Sequence, residues 1–359
     1  MSKPLVLTCD IGTQSARALL VDPDGRIVDV VQSKYAEPYF SKEPGWAEQK
    51  PDFYFDRLCE CCRELCARSN ALLPDVIAMT ITVIRDTVVC LDENNNPLRD
   101  IILWLDKRSV DPNGAMPAKN MMVFKLAGME PTAKVVYAAS AGNWIMRHEP
   151  EIWARTAKYV MLPTYLNYKL TGNLIDSASN QIGHIPFDYK NRRWMKPGSL
   201  TRCFCDVPNE KLCDLVPSGT VIGTITDEVS ALTGIPAGLP LISTGSDKGC
   251  ETLGLAVVDS DKASISLGTT ATIQFSTTQY VEPQQFLPAY PGVLNDHYNP
   301  EIEIYRGLWL LSWFVKEFGT ADAIDAKEMG MAPEALLDAR IRDLPAGSDG
   351  LLLQPYWTA

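Results

Sequence analysis

Carboxylates at strand ends, and small residues that let backbone amides approach an anion, recur at well-separated places in this chain. The first is Cys9-Asp10-Ile11-Gly12-Thr13-Gln14-Ser15-Ala16-Arg17. A glycine at the tip of a tight turn brings N–H groups close to an anion, and Thr13, Gln14 and Ser15 can donate to phosphate oxygens. Asp10, ending a strand, suits Mg²⁺ held through water, since that ion prefers carboxylate and water oxygens. An ordinary hairpin with an Asx turn fits the same residues. Leu267-Gly268-Thr269-Thr270 is a second small-residue turn able to approach a phosphate. Gly245-Ser246-Asp247-Lys248-Gly249 stands between a buried-looking strand and a helix. Asp247 sits where an N-cap would, so it is either a capping carboxylate or a general base for a hydroxyl attacking a phosphoryl group.

A further constellation is Arg85-Asp86, with Trp104-Leu105-Asp106-Lys107-Arg108 after it. Between two strands, Arg donates to and Asp accepts from neighbouring hydroxyls of a polyol, with Trp104 over the carbon skeleton. The alternative is a local ion pair and a core tryptophan. Cys59, Cys62 and Cys66 share one helix face, as metal ligands or as small apolar residues; no histidine or second cysteine pair lies nearby to complete a zinc shell.

These residues need elements to hold them. Leu5 to Thr8, Ala18 to Val21 and Ile27 to Val31 read as a strand meander with a Pro-Asp-Gly turn, covered by a helix from Pro51 to about Arg68. Strands follow at Val76 to Thr82, Thr87 to Leu91 and Ile101 to Trp104. From Lys119 to Thr171 the pattern is helical, with Trp144, Ile145, Ile152, Trp153, Tyr165, Leu166 and Leu170 as core. A Gly/Pro-punctuated stretch at 233–240, before a strand at Leu241 to Thr244, marks the candidate boundary between domains 1–243 and 244–359. Beyond it the sequence predicts a helix from Asp247 to Ala256, strands at Ala263 to Leu267 and Thr270 to Phe275, and helices near Leu308 to Phe318 and Pro333 to Arg342. Asp10-Ile-Gly-Thr13 and Leu267-Gly-Thr-Thr270 form a weak two-fold echo.

Bulk properties exclude several functions. A chain of 359 residues exceeds one ordinary core. Its formal net charge of -11 repels phosphate backbones and anionic membranes, so no nucleic-acid or membrane partner is expected. The N-terminus enters a strand without a signal peptide's apolar region, and no long apolar run appears, so a cytoplasmic protein is expected. Its ten cysteines are then reduced thiols. A homodimer is left open.

The order of motifs resembles the FGGY family of carbohydrate kinases, within the superfamily of sugar kinases, actin and heat-shock ATPases. Asp10-Ile-Gly-Thr-Gln-Ser-Ala-Arg17 matches the family's first phosphate hairpin, Gly245-Ser246-Asp247 its catalytic position and Ser266-Leu-Gly-Thr-Thr270 its second phosphate turn. The resemblance implies an α/β fold of two actin-like, ribonuclease H-like domains around a central cleft. It implies ATP with Mg²⁺ near Asp10, phosphates near Gly12, Thr13, Gln14, Arg17, Gly268, Thr269 and Thr270, and Asp247 as base. Substrate contacts fall on Arg85, Asp86, Trp104, Asp106 and Lys248. Arg85-Asp86-Thr87 resembles the Arg-Glu-Thr of glycerol kinases, whereas Trp104-x-Asp106-x-Arg108 is closer to xylulose kinases. Lys248 stands where the family has Gln or Asn, and Ala141-Gly142-Asn143 where many members carry a lysine. Where the family continues, the chain stops at Gln354-Pro-Tyr-Trp-Thr-Ala359, so the expectation is an incomplete second domain, no Gly-rich adenosine motif and an exposed apolar surface. The function expected is phosphorylation of a small sugar or polyol. The alternatives are a catalytically silent sugar-binding member of the same fold and, more weakly, a chaperone-like ATPase.

Overall fold

The structure is a computed structural model that describes residues 3–267, 270–304, 307 and 309–352. β1 (Leu5–Ile11), β2 (Ser15–Val21) and β3 (Ile27–Lys34) form the antiparallel meander expected, each strand running further than the apolar run alone suggested. Leu5, Leu7, Cys9 and Ile11 of β1 are buried in the two-residue period of a strand with one face on a core. α1 (Phe53–Arg68) packs on β2 and β3 and buries Leu58, Leu65 and the cysteines Cys59, Cys61, Cys62 and Cys66. It begins at Phe53 rather than Pro51. Asp52 spends its carboxylate on the Tyr165 hydroxyl (2.7 Å) and the Lys169 ammonium (3.0 Å) and makes no side-chain cap.

The cysteine face is core. Burial pushes the Cys59 and Cys66 thiols up to about 12, and Cys62 Sγ lies 3.5 Å from Cys9 Sγ. Among the described residues no group of three or more His, Cys, Asp or Glu side chains could hold a metal ion.

β4 (Val76–Val83) lies parallel to β1. β5 (Val88–Leu91) leaves the main sheet and pairs with β6 (Lys158–Met161), a strand inside the stretch expected to be wholly helical. Around it stand α2 (Ala118–Leu126), α3 (Glu130–Ala139), α4 (Ala141–His148), α5 (Pro150–Arg155) and α6 (Leu162–Thr171). The strand wins at 158–161 because Tyr159, Val160 and Met161 suit a buried strand, and Pro163 opens the next helix at its first turn. Trp144, Ile145, Tyr165, Leu166 and Leu170 are core as expected, with Ile152 and Trp153 partly buried.

β7 (Val221–Thr224), α7 (Asp227–Thr233) and β8 (Pro240–Ile242) complete the main sheet in the order β7-β8-β4-β1-β2-β3, with β8 parallel to β4. The Gly/Pro-rich stretch at 233–240 is therefore a connection within this sheet.

α8 (Asp247–Gly254) follows, then a three-stranded antiparallel sheet of β9 (Ala263–Leu267), β10 (Ala271–Phe275) and β11 (Glu301–Ile304). Its polarity is inverted. Ser264, Thr272, Gln274 and Glu301 are buried, while Ile265 (61% exposed), Ile273 and Ile302 (56%) lie in register on the open face. α9 (Trp309–Glu317), α10 (Thr320–Glu328) and α11 (Pro333–Ile341) end the description; α10 and β11 were not anticipated. No helix among the described residues is long and apolar enough to cross a membrane.

Candidate functional site

A cavity of ≈ 1090 Å³ is lined by the β1–β2 turn, the loop after β4, the segment 182–190, the start of α8 and the edge of β11. Each wall owes its residues to local structure. At the β1–β2 turn Asp10 and Arg17 are cross-strand partners, and Arg17 Nη1 donates to Asp10 Oδ2 at 2.6 Å. Gly12 N donates to Ser15 O at 3.0 Å, closing the turn, and Gly12, Thr13, Gln14 and Arg17 face the cavity.

Asp247 enters from the first turn of α8. The N-cap is Ser246, whose hydroxyl accepts from Gly249 N (3.2 Å). The capping alternative for Asp247 is therefore corrected: the neighbouring serine does that work and leaves the Asp247 carboxylate at the cavity wall. Burial raises its pKa, against the lowering pull of Arg85 and Lys248. Lys248 Nζ is tied to Glu251 (3.0 Å) and to Ser266 Oγ (2.7 Å).

Arg85 and Asp86 sit where β4 gives way to β5, and both line the cavity. Arg85 is clasped by Glu301, Nη2 to Oε1 at 2.8 Å and Nη1 to Oε2 at 3.0 Å, and its Nε lies 3.6 Å from Asp247 Oδ1. Asp86 has a left-handed backbone (φ 45°), unusual for a residue with a side chain. Its carboxylate accepts from His184 N (2.9 Å) and pairs with His184 Nδ1 (2.7 Å). Burial opposes the Asp86 charge, but His184 prevails and holds the carboxyl below its usual value, while Asp86 raises His184. A Cβ on Gly183 would stand 2.3 Å from Asp86 Oδ1, so this approach requires glycine there.

Trp104 lines the cavity too and donates from Nε1 to Thr13 Oγ1 at 3.0 Å, joining the expected sugar wall to the expected phosphate turn. Asp106 is not brought to the cavity. Its carboxylate is buried and accepts from Arg108 Nε (2.8 Å) and Ala47 N (2.6 Å). Thr270 reaches the cavity, whereas Gly268 and Thr269 lie outside the described residues.

Sequence reasoning missed His184, Glu301, Glu303, Tyr189 and Tyr290, all cavity-lining. One signal was available: Glu301 and Glu303 alternate with Ile302 and Ile304, the period of a strand with one acidic face.

The arrangement offers a carboxylate in one cavity with a glycine- and hydroxyl-bearing turn, and a carboxylate–histidine pair able to accept from and donate to hydroxyls. For Mg²⁺, the fit is adequate: such ions take one or two carboxylates and complete their shell with water and phosphate, and Asp10 stands beside the turn with its carboxylate a third exposed.

Residues 5–254 match the FGGY family of carbohydrate kinases, N-terminal domain. The chain is 26% identical to an uncharacterized sugar kinase, YgcE, of Escherichia coli (strain K12), over 99% of this chain and 65% of that protein. It is 23% identical to a xylulose kinase of Bacillus subtilis (strain 168), over 98% of this chain and 67% of the relative. Thus the chain spans about two thirds of the length of the curated relatives it matches. The crystal structure of gluconate kinase from Lactobacillus acidophilus superposes with a TM-score of 0.79 at 22% identity, covering 99% of this chain and 69% of that one. These similarities place the fold among the two-domain, actin-like α/β kinases.

Proposed function

We propose that this chain, which belongs to the FGGY family of carbohydrate kinases, carries the phosphoryl-transfer and acceptor-binding groups of an ATP-dependent sugar or polyol kinase. The observation that supports this most is Asp247: a partly buried carboxylate with raised pKa, in one cavity with Gly12, Thr13, Gln14 and Arg17 on one side and Arg85, Asp86 and Trp104 on another. In this reading Asp247 takes the proton of the acceptor hydroxyl as its oxygen attacks the γ-phosphorus of ATP. The bond from that phosphorus to the β–γ bridging oxygen breaks, and ADP leaves with the electron pair. Gly12, Thr13, Gln14, Arg17 and Thr270 position the phosphates, together with Gly268 and Thr269. Mg²⁺ held through water on Asp10 would supply charge neutralisation on the phosphate oxygens.

The acceptor lies against Arg85, the Asp86–His184 pair, Trp104 and Lys248. Asp106 stands off that wall, with its carboxylate bonded to Arg108 and to Ala47 N. Carboxylates outnumber cationic side chains in the cavity, which favours a neutral polyol or ketose over a sugar acid. The division of the chain at 243/244 and a cytoplasmic setting belong to the same reading.

The test is ADP release from Mg-ATP with glycerol, erythritol, xylulose, ribulose and gluconate, alongside Asp247→Asn. Release stimulated by a neutral acceptor and lost in the variant is expected. Stimulation that survives in the variant would remove Asp247 from the chemistry.

A further inference from the structure

Arg85 stands between two carboxylates, and they hold it unequally. Glu301 takes both terminal nitrogens end-on, at 2.8 and 3.0 Å, whereas Asp247 meets only Nε, at 3.6 Å. A bidentate guanidinium–carboxylate pair is the stronger arrangement and fixes the plane of the fork. Glu301 is 5% exposed and is fixed in turn. Gln274 Nε2 donates to Glu301 Oε2, and Thr252 Oγ1 donates to Gln274 Oε1 at 2.5 Å. Thr252 belongs to α8, the helix that carries Asp247, Gln274 to β10 and Glu301 to β11. The relay thus runs from the helix that carries Asp247 to the guanidinium beside its carboxylate.

Without Glu301, the guanidinium could turn its Nε and one terminal nitrogen onto Asp247, making the side-on pair that Arg85–Asp247 now lacks. That pair would occupy the oxygen lone pairs a base needs.

We propose that Glu301 is a positioning residue: by clasping the fork of Arg85 it keeps Arg85 from closing on Asp247 and leaves that carboxylate able to accept a proton. The proposal rests on Asp247 being the base, but its physical content, where Arg85 points, does not. The charged and titratable groups that act on Asp247 are Arg85 after β4 and Lys248, Cys250 and Glu251 on α8, while Glu301 and Glu303 on β11 and Tyr290 face Arg85. Burial of Asp247 raises its pKa even with Arg85 nearby, the balance expected when the cation is held elsewhere.

The experiment is titration of Asp247 by carboxyl carbon-13 NMR in the full chain, its resonance assigned by loss in Asp247→Asn. It is repeated in Glu301→Gln and in Glu301→Asp. Glu301→Asp keeps the buried charge but shortens the reach by one methylene, so direct repulsion between carboxylates cannot explain its effect. It also serves alone if Glu301→Gln does not fold. The expected result is a midpoint lowered by about one pH unit, a tenfold change in proton affinity, in each folded variant. An unchanged or raised midpoint in Glu301→Asp overturns the proposal. Sugar-stimulated ADP release is measured on the same samples against pH. Its absence in the unmodified chain sinks the kinase reading and leaves the placement of Arg85 to be decided by the titration. If it is present, its acid limb moves down with the Asp247 midpoint.

Discussion

Asp247 keeps its carboxylate because Ser246 caps α8, and the two residues should separate cleanly on mutation. Asp247→Asn is expected to lower phosphoryl transfer by roughly 10²–10⁴-fold with the melting temperature little changed. Ser246→Ala should cost about 1 kcal/mol of stability, read by denaturant unfolding. A second residue-scale expectation concerns His184. Asp86 raises its folded pKa above the ordinary 6.5. The pair's stabilisation is therefore complete below pH 6.5 and fades as pH rises through the higher folded value. Unfolding free energies of the unmodified chain and of His184→Gln should converge with rising pH across that window. A gap that widens with pH would contradict the assignment.

At the scale of elements, the chain at 182–184 is shaped to serve the turn after β4. Asp86 N donates to Ile182 O (3.0 Å), and the left-handed Asp86 backbone faces a glycine that leaves no room for a side chain. Gly183→Ala should destabilise by roughly 1–3 kcal/mol and weaken acceptor binding, measured by thermal melts and by KM. Equal melting and KM would mean that Asp86 can retreat freely. The elements themselves were largely legible. β1, β2, β3, α1 and α8 follow from apolar period and turn chemistry, which act within a few residues. β8 was expected at Leu241 to Thr244; β6 escaped notice because it is paired on one side only, by β5 from far away in sequence, and β7 and α7 because short elements between loops carry little period.

On the scale of the whole molecule, the β9–β10–β11 sheet turns its polar face inward and its isoleucines outward. The inward face carries Gln274 and Glu301, which the cavity needs, so the apolar residues take the other side. Ile265, Ile273 and Ile302 form a contiguous open apolar patch. This chain should bind a hydrophobic dye and self-associate at raised concentration. Ile265→Thr with Ile302→Thr should reduce both without unfolding, as seen by dye fluorescence and sedimentation. Unchanged dye binding would place the exposed apolar surface elsewhere.

The sequence by itself determined the strand meander with its covering helix, the hairpin turn between Asp10 and Arg17 and the candidacy of Asp247, because each rests on interactions a few residues long. Only the tertiary structure decided which groups share the cavity. Trp104 meets Thr13, Arg85 lies between Asp247 and Glu301, His184 takes Asp86, and Asp106 is drawn away from the cavity to Arg108. The physical reason is that a charged side chain settles on the partner that best offsets its desolvation, and that partner is set by packing across the molecule rather than by spacing along the chain.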